Sequence, residues 1–266
     1  MKENKVIYHV DAFTNEAFRG NPAGVCILDS EPSGEWMQNI AMELNLSETA
    51  FVFPGTEGRQ IRFFSPSSEV KLCGHATLSA SHIMFEQGFA KKGETLVFNS
   101  KAGRLSVSHD DGWITLNFPL YEVDRMEYTP DFEKVTGVKA IELYTSSFGW
   151  TLALLGSEEE VKTLSPDFRA MKSSPFGDLI VTAPAAGKDY DFCVRCFAPA
   201  LGIDEDPVTG SAHCALLPFW KSKTGKEQFV SHQVSGRGGI LRVAIVNGRA
   251  EISGQAKTIL RSELFI

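Results

Sequence analysis

Ile61-Arg62-Phe63-Phe64-Ser65-Pro66 returns further along the chain as Val194-Arg195-Cys196-Phe197-Ala198-Pro199, an aliphatic-Arg-x-Phe-small-Pro pattern stated twice. Outward from it, Gly74-His75-Ala76 is echoed by Gly210-Ser211-Ala212, and Ser100-x-x-Gly103-x-Leu105-x-Val107 by the run from Ser235 to Val243 with a single insertion. Three matches in one order, at offsets of 133 to 136 residues in a chain of 266, describe a duplicated domain. A solenoid would repeat every 20 to 50 residues or so.

Each half reads as short strands around one helix. The runs Val6 to Phe13, Ala23 to Leu28, Thr49 to Phe53, Arg59 to Phe64, Thr95 to Asn99, Arg104 to Ser108 and Trp113 to Asn117 are rich in β-branched and aromatic residues bounded by Gly, Pro or Asp. Between them Trp36, Met37, Ile40, Ala41 and Leu44 recur at helical spacing behind a Ser33 cap. The segment Gly74 to Glu86 differs, because Ala76, Leu78, Ala80, Ile83, Met84 and Phe85 leave almost no polar face, which predicts a helix buried nearly all round. Ser211 to Trp220 plays the same part in the second half until Pro218 disturbs it. The fold class expected is α+β, with two pseudo-symmetric lobes, each a curved, mainly antiparallel sheet wrapped around a central helix. The lobes span 1–121 and 122–266, joined near Tyr121 to Thr129, with the last strand left free to return to the first lobe.

Composition narrows the function. Hydrophobic residues at 43% and charged residues at 22% are those of a folded globular chain. A net charge of −7 repels phosphate backbones and anionic membranes. The densest basic stretches, Lys91-Lys92 and Lys221 to Lys226, read as solvated faces. The apolar run Val6 to Val10 is too short for a secretory signal, and Leu72 to Phe85 falls short of a membrane span. Five cysteines without a framework spacing are expected as reduced thiols, so a cytoplasmic protein with neither a nucleic-acid nor a membrane partner is expected.

The chemistry is expected where the two central helices begin. Helices starting at Gly74 and Gly210 can aim free backbone N–H groups into one interlobe cleft, a natural seat for a carboxylate. Unusual side chains stand at those starts: Cys73-Gly74-His75 at one, and Asp204-Glu205-Asp206-Pro207-Val208-Thr209-Gly210-Ser211 at the other. Alone, Asp206 before Pro207 reads as a turn residue and His75 as a structural histidine. Their matched placement favours a site. A third group, Glu48, lies in Asn45-Leu46-Ser47-Glu48-Thr49-Ala50-Phe51, either as a solvated turn residue or as a desolvated acid suited to proton transfer.

These residues resemble the PhzF family of phenazine-biosynthesis isomerase-like proteins. The likeness runs through Asp11-Ala12-Phe13-Thr14, Gly20-Asn21-Pro22, Leu46-Ser47-Glu48-Thr49-Ala50-Phe51, Leu72-Cys73-Gly74-His75-Ala76-Thr77 and Phe192 to Pro199. It continues through Glu205 to His213, Gln233-Val234-Ser235-Gly236-Arg237-Gly238-Gly239 and Gly254-Gln255-Ala256. The resemblance implies a diaminopimelate epimerase-like fold, a homodimer, and a site with neither cofactor nor metal. The activity it implies is an isomerase proton shift on a small carboxylate-bearing metabolite. In the phenazine enzyme a glutamate takes a proton from one ring carbon of a dihydro-hydroxyanthranilate, and a proton returns at another. By position Glu48 matches the general acid/base, His75 and Asp206 its catalytic polar partners, and Gly74, Gly210 and Ser211 the backbone that binds the substrate carboxylate.

Departures and rival readings qualify the match. Ser65 stands where many relatives carry Thr, and Lys71 where an acid is common. Diaminopimelate epimerase places a cysteine before each helix, whereas this chain has Cys73 at one and Thr209 at the other, which argues against a two-thiol epimerase. A mixed Glu48/Cys73 mechanism and a binding protein without turnover stay open, although Cys73 alone reads as a small buried residue. Cys193-x-x-Cys196 is not read as a redox or metal pair, since that spacing on a strand sends the thiols to opposite faces. His213-Cys214 reads as packed, and Gly236-Arg237-Gly238-Gly239 as a tight turn rather than a dinucleotide loop.

Overall fold

A computed structural model describes residues 5–56, 58–91 and 93–265. Lys92, which enters the basic-patch reading above, lies outside these residues. The chain divides into two compact units, one from the N-terminus to Asn117 together with Ser253 onward, the other Phe118–Ile252. Among the described residues no helix is long and apolar enough to cross a membrane.

The first unit runs β1 (Val6–Ala12), β2 (Asn21–Ile27), α1 (Gly34–Leu44), β3 (Glu48–Gly55), β4 (Gly58–Phe64), β5 (Glu69–Val70), α2 (Gly74–Glu86), β6 (Leu96–Ser100), β7 (Gly103–Asp110) and β8 (Trp113–Pro119). The second adds β9 (Val123–Met126), α3 (Pro130–Thr136), β10 (Glu142–Ser146), β11 (Thr151–Leu154), α4 (Glu158–Thr163), α5 (Phe168–Lys172), β12 (Leu179–Pro184), β13 (Phe192–Ala198) and β14 (Ile203–Asp206). It closes with α6 (His213–Thr224), β15 (Gln228–Gln233), β16 (Gly239–Val246) and β17 (Arg249–Gly254), before β18 (Ala256–Glu263) pairs antiparallel with β1 back in the first unit.

Pairing is mainly antiparallel, with parallel exceptions at β2–β3, β4–β6, β11–β12 and β13–β15. In the first unit α2 packs on β1, β2, β3 and β18. Leu78, Ile83 and Met84 are buried among these strands, each side chain worth about 1.5–3 kcal/mol. Two of its buried hydroxyls bond backward along the helix, Thr77 Oγ1 to the Cys73 carbonyl at 2.6 Å and Ser81 Oγ to the Thr77 carbonyl at 2.8 Å. Close packing also fixes Gly254: a Cβ there would come within 2.4 Å of the Phe13 ring and 2.9 Å of Leu78.

The second central helix departs from expectation at both ends. It begins at His213, and Gly210 to Ala212 form a tighter turn in which His213 N–H reaches the Gly210 carbonyl at 3.0 Å and Cys214 N–H the Ser211 carbonyl at 3.1 Å. Nor does Pro218 end it, since the helix continues to Thr224. Proline has no N–H for the Cys214 carbonyl four residues back, and Tyr121 N–H takes that oxygen instead at 2.9 Å.

Candidate active site

In the first unit the chain places Glu48 by ending one helix and starting one strand. Asn45, the cap of α1, takes a left-handed conformation (φ 50°, ψ 36°) that Asn tolerates well, and its N–H closes on the Ala41 carbonyl at 3.1 Å. Three residues later Glu48 opens β3, registered beside Ala23 of β2, with its side chain only partly covered. Cys73 caps α2 in extended conformation (φ −144°, ψ 115°) without a side-chain cap bond, which leaves the first-turn N–H groups of Gly74 and His75 without a capping acceptor.

These placements bring three functional groups together. His75 Nε2 lies 3.3 Å from Glu48 Oε2, and Cys73 Sγ lies 3.5 Å from His75 Nδ1. Burial pushes the His75 imidazole down to about 4, so the ring is neutral at neutral pH and its contact with Glu48 is a hydrogen bond rather than an ion pair. A neutral ring donates at one nitrogen and accepts at the other. The arrangement that serves both contacts has Nε2–H donating to Glu48 and the Cys73 thiol donating to Nδ1. Cys73 is buried, as read from sequence, and its sulfur also lies against the His75 ring. The same three side chains offer a carboxylate oxygen, a sulfur and a ring nitrogen within 4.8 Å of one another, a donor set able to hold a metal ion.

Asp206, Gly210 and Ser211 lie in the second unit. Asp206 ends β14, and its Oδ2 accepts from Thr209 Oγ1 at 2.5 Å. Gln233, which sequence reading quoted only as part of a motif, clamps this segment. Its Oε1 accepts from Thr209 N–H at 2.8 Å and its Nε2 donates to the Asp206 carbonyl at 2.7 Å. Ser235 Oγ donates to the Pro207 carbonyl at 2.6 Å. His213, whose pKa burial lowers to about 4, is pinned with Nδ1 3.0 Å from the Thr209 carbonyl and Nε2 2.8 Å from Ser231 Oγ. Cys193 and Cys196 meet different surroundings: the first sits in the apolar cluster with Met171 and Phe197, while the second pairs in register with Asp206. The signal that could have found Gln233 is a buried amide at the end of a strand, two residues beyond Ser231 on the same face.

Against known proteins, the family described as "Phenazine biosynthesis-like protein" matches residues 10–262. An uncharacterized isomerase of Halalkalibacterium halodurans is 43% identical over 98% of each chain. The crystal structure of a PhzF family phenazine biosynthesis protein from Enterococcus faecalis superposes with a TM-score of 0.93 at 38% identity, covering 99% of this chain and 100% of that one. A probable proline racemase from Agrobacterium radiobacter K84 shares the fold alone, with a TM-score of 0.67 at 12% identity over 98% of this chain and 92% of the other.

Proposed function

The chain belongs to the phenazine biosynthesis-like family, and from that membership we propose that it is an isomerase which moves a proton on a small carboxylate-bearing metabolite, with Glu48 as general acid/base. The observation that carries the proposal is the 3.3 Å contact between Glu48 and a neutral His75, made where α2 begins without a side-chain cap. Glu48 Oε takes a proton from a carbon activated by the substrate's carboxylate or by conjugation with it. The carbanion collapses along the conjugated system, and the same carboxyl returns a proton to another carbon. His75 keeps its Nε2–H on Glu48 throughout, which orients the carboxylate and offsets its burial. Free N–H groups of Gly74 and His75 bind the substrate carboxylate, where the helix dipole also favours negative charge. Asp206, Gly210 and Ser211 enter the proposal through the family match alone, as residues that orient the substrate's polar groups. The chemistry assigned to Glu48 needs no added cofactor.

Cys73 supports a second reading. Its sulfur, 3.5 Å from His75 Nδ1, joins Glu48 through one imidazole, an arrangement that fits a mixed Glu48/Cys73 epimerase with two acid/base groups. Proton NMR in heavy water separates the readings. Wild type incubated with candidate carboxylates, including dihydro-hydroxyanthranilate and diaminopimelate, is expected to place deuterium on a substrate carbon. Glu48→Gln should lose about 10²–10⁴-fold in exchange rate while keeping ligand affinity. Cys73→Ser retains exchange if Glu48 works alone and loses it if the pair shares the task. Exchange undiminished in Glu48→Gln would refute the assignment of the base. Ligand binding without exchange in wild type, across the substrates tried, would favour the non-catalytic binding protein.

A further inference from the structure

Glu48, Cys73 and His75 carry one property that the proposed proton shift does not use. We propose that they form a binding site for a soft divalent cation, with Zn²⁺ as the reference ion, and that occupancy of this site turns the protein off. The donors come from two elements, the start of β3 and the cap and first turn of α2. Their separations fit one ion. Zinc bonds of about 2.0–2.3 Å to oxygen, nitrogen and sulfur in a tetrahedron set neighbouring donors about 3.3–3.8 Å apart. The Nε2–Oε2 edge is 3.3 Å, the Sγ–Nε2 edge is 3.9 Å, and all three ligand atoms lie within 4.8 Å of one another. The sulfur stands nearer Nδ1, at 3.5 Å, so a rotation of the Cys73 side chain toward Nε2 is what brings all three donors onto a single ion.

Donor chemistry selects the ion. A sulfur and an imidazole nitrogen favour Zn²⁺, Co²⁺ or Cu⁺ over Mg²⁺ and Ca²⁺, which take oxygen. On binding, the ring proton moves from Nε2 to Nδ1 and frees the Nε2 lone pair, the Cys73 thiol releases its proton to solvent, and thiolate plus carboxylate balance the ion's two charges. Three protein ligands leave a fourth position for water or a ligand's carboxylate, reached on the side where Glu48 is partly exposed. Cys73 matters most, because an imidazole and one carboxylate alone would make a weak, unselective pair. The binding claim stands apart from the activity proposed above; only its inhibitory consequence rests on that reading, because an ion on Oε2 occupies the atom that takes the proton.

Cobalt(II) titration of the reduced full chain tests the site, with absorbance as the readout. Wild type is expected to bind one equivalent, with a thiolate-to-cobalt charge-transfer band and the intense visible bands of tetrahedral cobalt, and Zn²⁺ should bleach both. Cys73→Ser, checked for native circular dichroism, should lose the charge-transfer band. The four other cysteines, Cys26, Cys193, Cys196 and Cys214, are all buried and stay in place as internal controls. Glu48→Gln should keep the band and weaken affinity by about tenfold or more. A charge-transfer band that survives in Cys73→Ser, or cobalt bound by wild type without that band, would overturn the proposal. Deuterium exchange reads the consequence: one equivalent of Zn²⁺ should abolish it and a chelator restore it, whereas exchange that continues in zinc-loaded protein would remove Glu48 from the ligand set. Should metal-free wild type show no exchange at all, the proton-shift reading fails, and the cobalt spectrum still decides the metal site.

Discussion

Burial holds the imidazoles of His75 and His213 alike at about 4, and what each ring meets decides what it does. His75 faces a carboxylate and a thiol, groups that exchange protons, whereas His213 faces a hydroxyl and a backbone carbonyl and serves as a strut. Both leave a mark on stability. In the unfolded chain a histidine titrates near its ordinary 6.5, so between about 6.5 and 4 the unfolded state binds a proton that the folded state refuses. The stabilisation is complete above that window and is lost as pH falls through it, at up to about 1.4 kcal/mol per pH unit for each ring. Glu158 extends the loss. Burial alone would raise its pKa, but Ala186 N–H, Lys162 and the Tyr190 hydroxyl bind the carboxylate and bring it down to about 2, so its contribution disappears between about 4.5 and 2. Urea unfolding across pH should therefore show a decline that begins near 6.5 and continues below 4.5. His213→Asn should reduce the upper slope by one ring's share, and parallel profiles for variant and wild type down to pH 4 would contradict the assignment.

At the scale of elements, β15 organises the segment from Asp206 to Thr209 of the second unit through one face. Phe229, Ser231 and Gln233 alternate inward; Phe229 stacks edge-on against Phe192, Ser231 meets His213, and Gln233 holds both Asp206 and Thr209. Gln233→Leu keeps the volume but strands a buried N–H at Thr209 and takes the Gln233 donor from the Asp206 carbonyl. A loss of about 2–4 kcal/mol in equilibrium denaturation is expected, and a loss under 1 kcal/mol would mean the segment holds itself. Little of this was legible in the chain. The alternation of β15 is visible, but its partners lie 24 to 27 positions away, and a glutamine at a strand end carries no sign of which backbone it will bridge. Local signals fared better. The apolar run from Gly74 to Glu86 gave α2 at its true bounds, and Ser33 caps α1 by accepting from Trp36 N–H, because both features depend on neighbours within one turn. Pro218 misled for the complementary reason. The cost of its missing donor depends on whether the orphaned carbonyl finds another, and Tyr121 N–H, far away in sequence, supplies it.

For the whole molecule, the duplicated motif leads to two lobes with the last strand left free to return to the first, and the first compact unit is assembled from both ends of the chain. β18 lies antiparallel along β1 from Val6 opposite Glu263 to Ala12 opposite Ala256, so β1 is flanked by β2 on one side and β18 on the other. The helix that carries His75 rests partly on this late strand, and His82 on its far end is tied to Thr258, which donates in turn to Glu86. Removing everything after Gln255 would turn β1 into an open edge and strip one wall from α2. An exposed edge strand and a half-uncovered apolar helix are both costly and aggregation-prone. The second unit keeps its own apolar cluster around Phe132, Leu143, Leu179 and Phe197. Limited proteolysis followed by mass spectrometry should then find the first cuts of the truncated protein within residues 5–117, with a fragment near 118–252 persisting, while the full chain resists in both regions. Simultaneous loss of both regions would mean that the units unfold as one cooperative block, and that the return of β18 stabilises the molecule as a whole rather than the half that carries Glu48, Cys73 and His75.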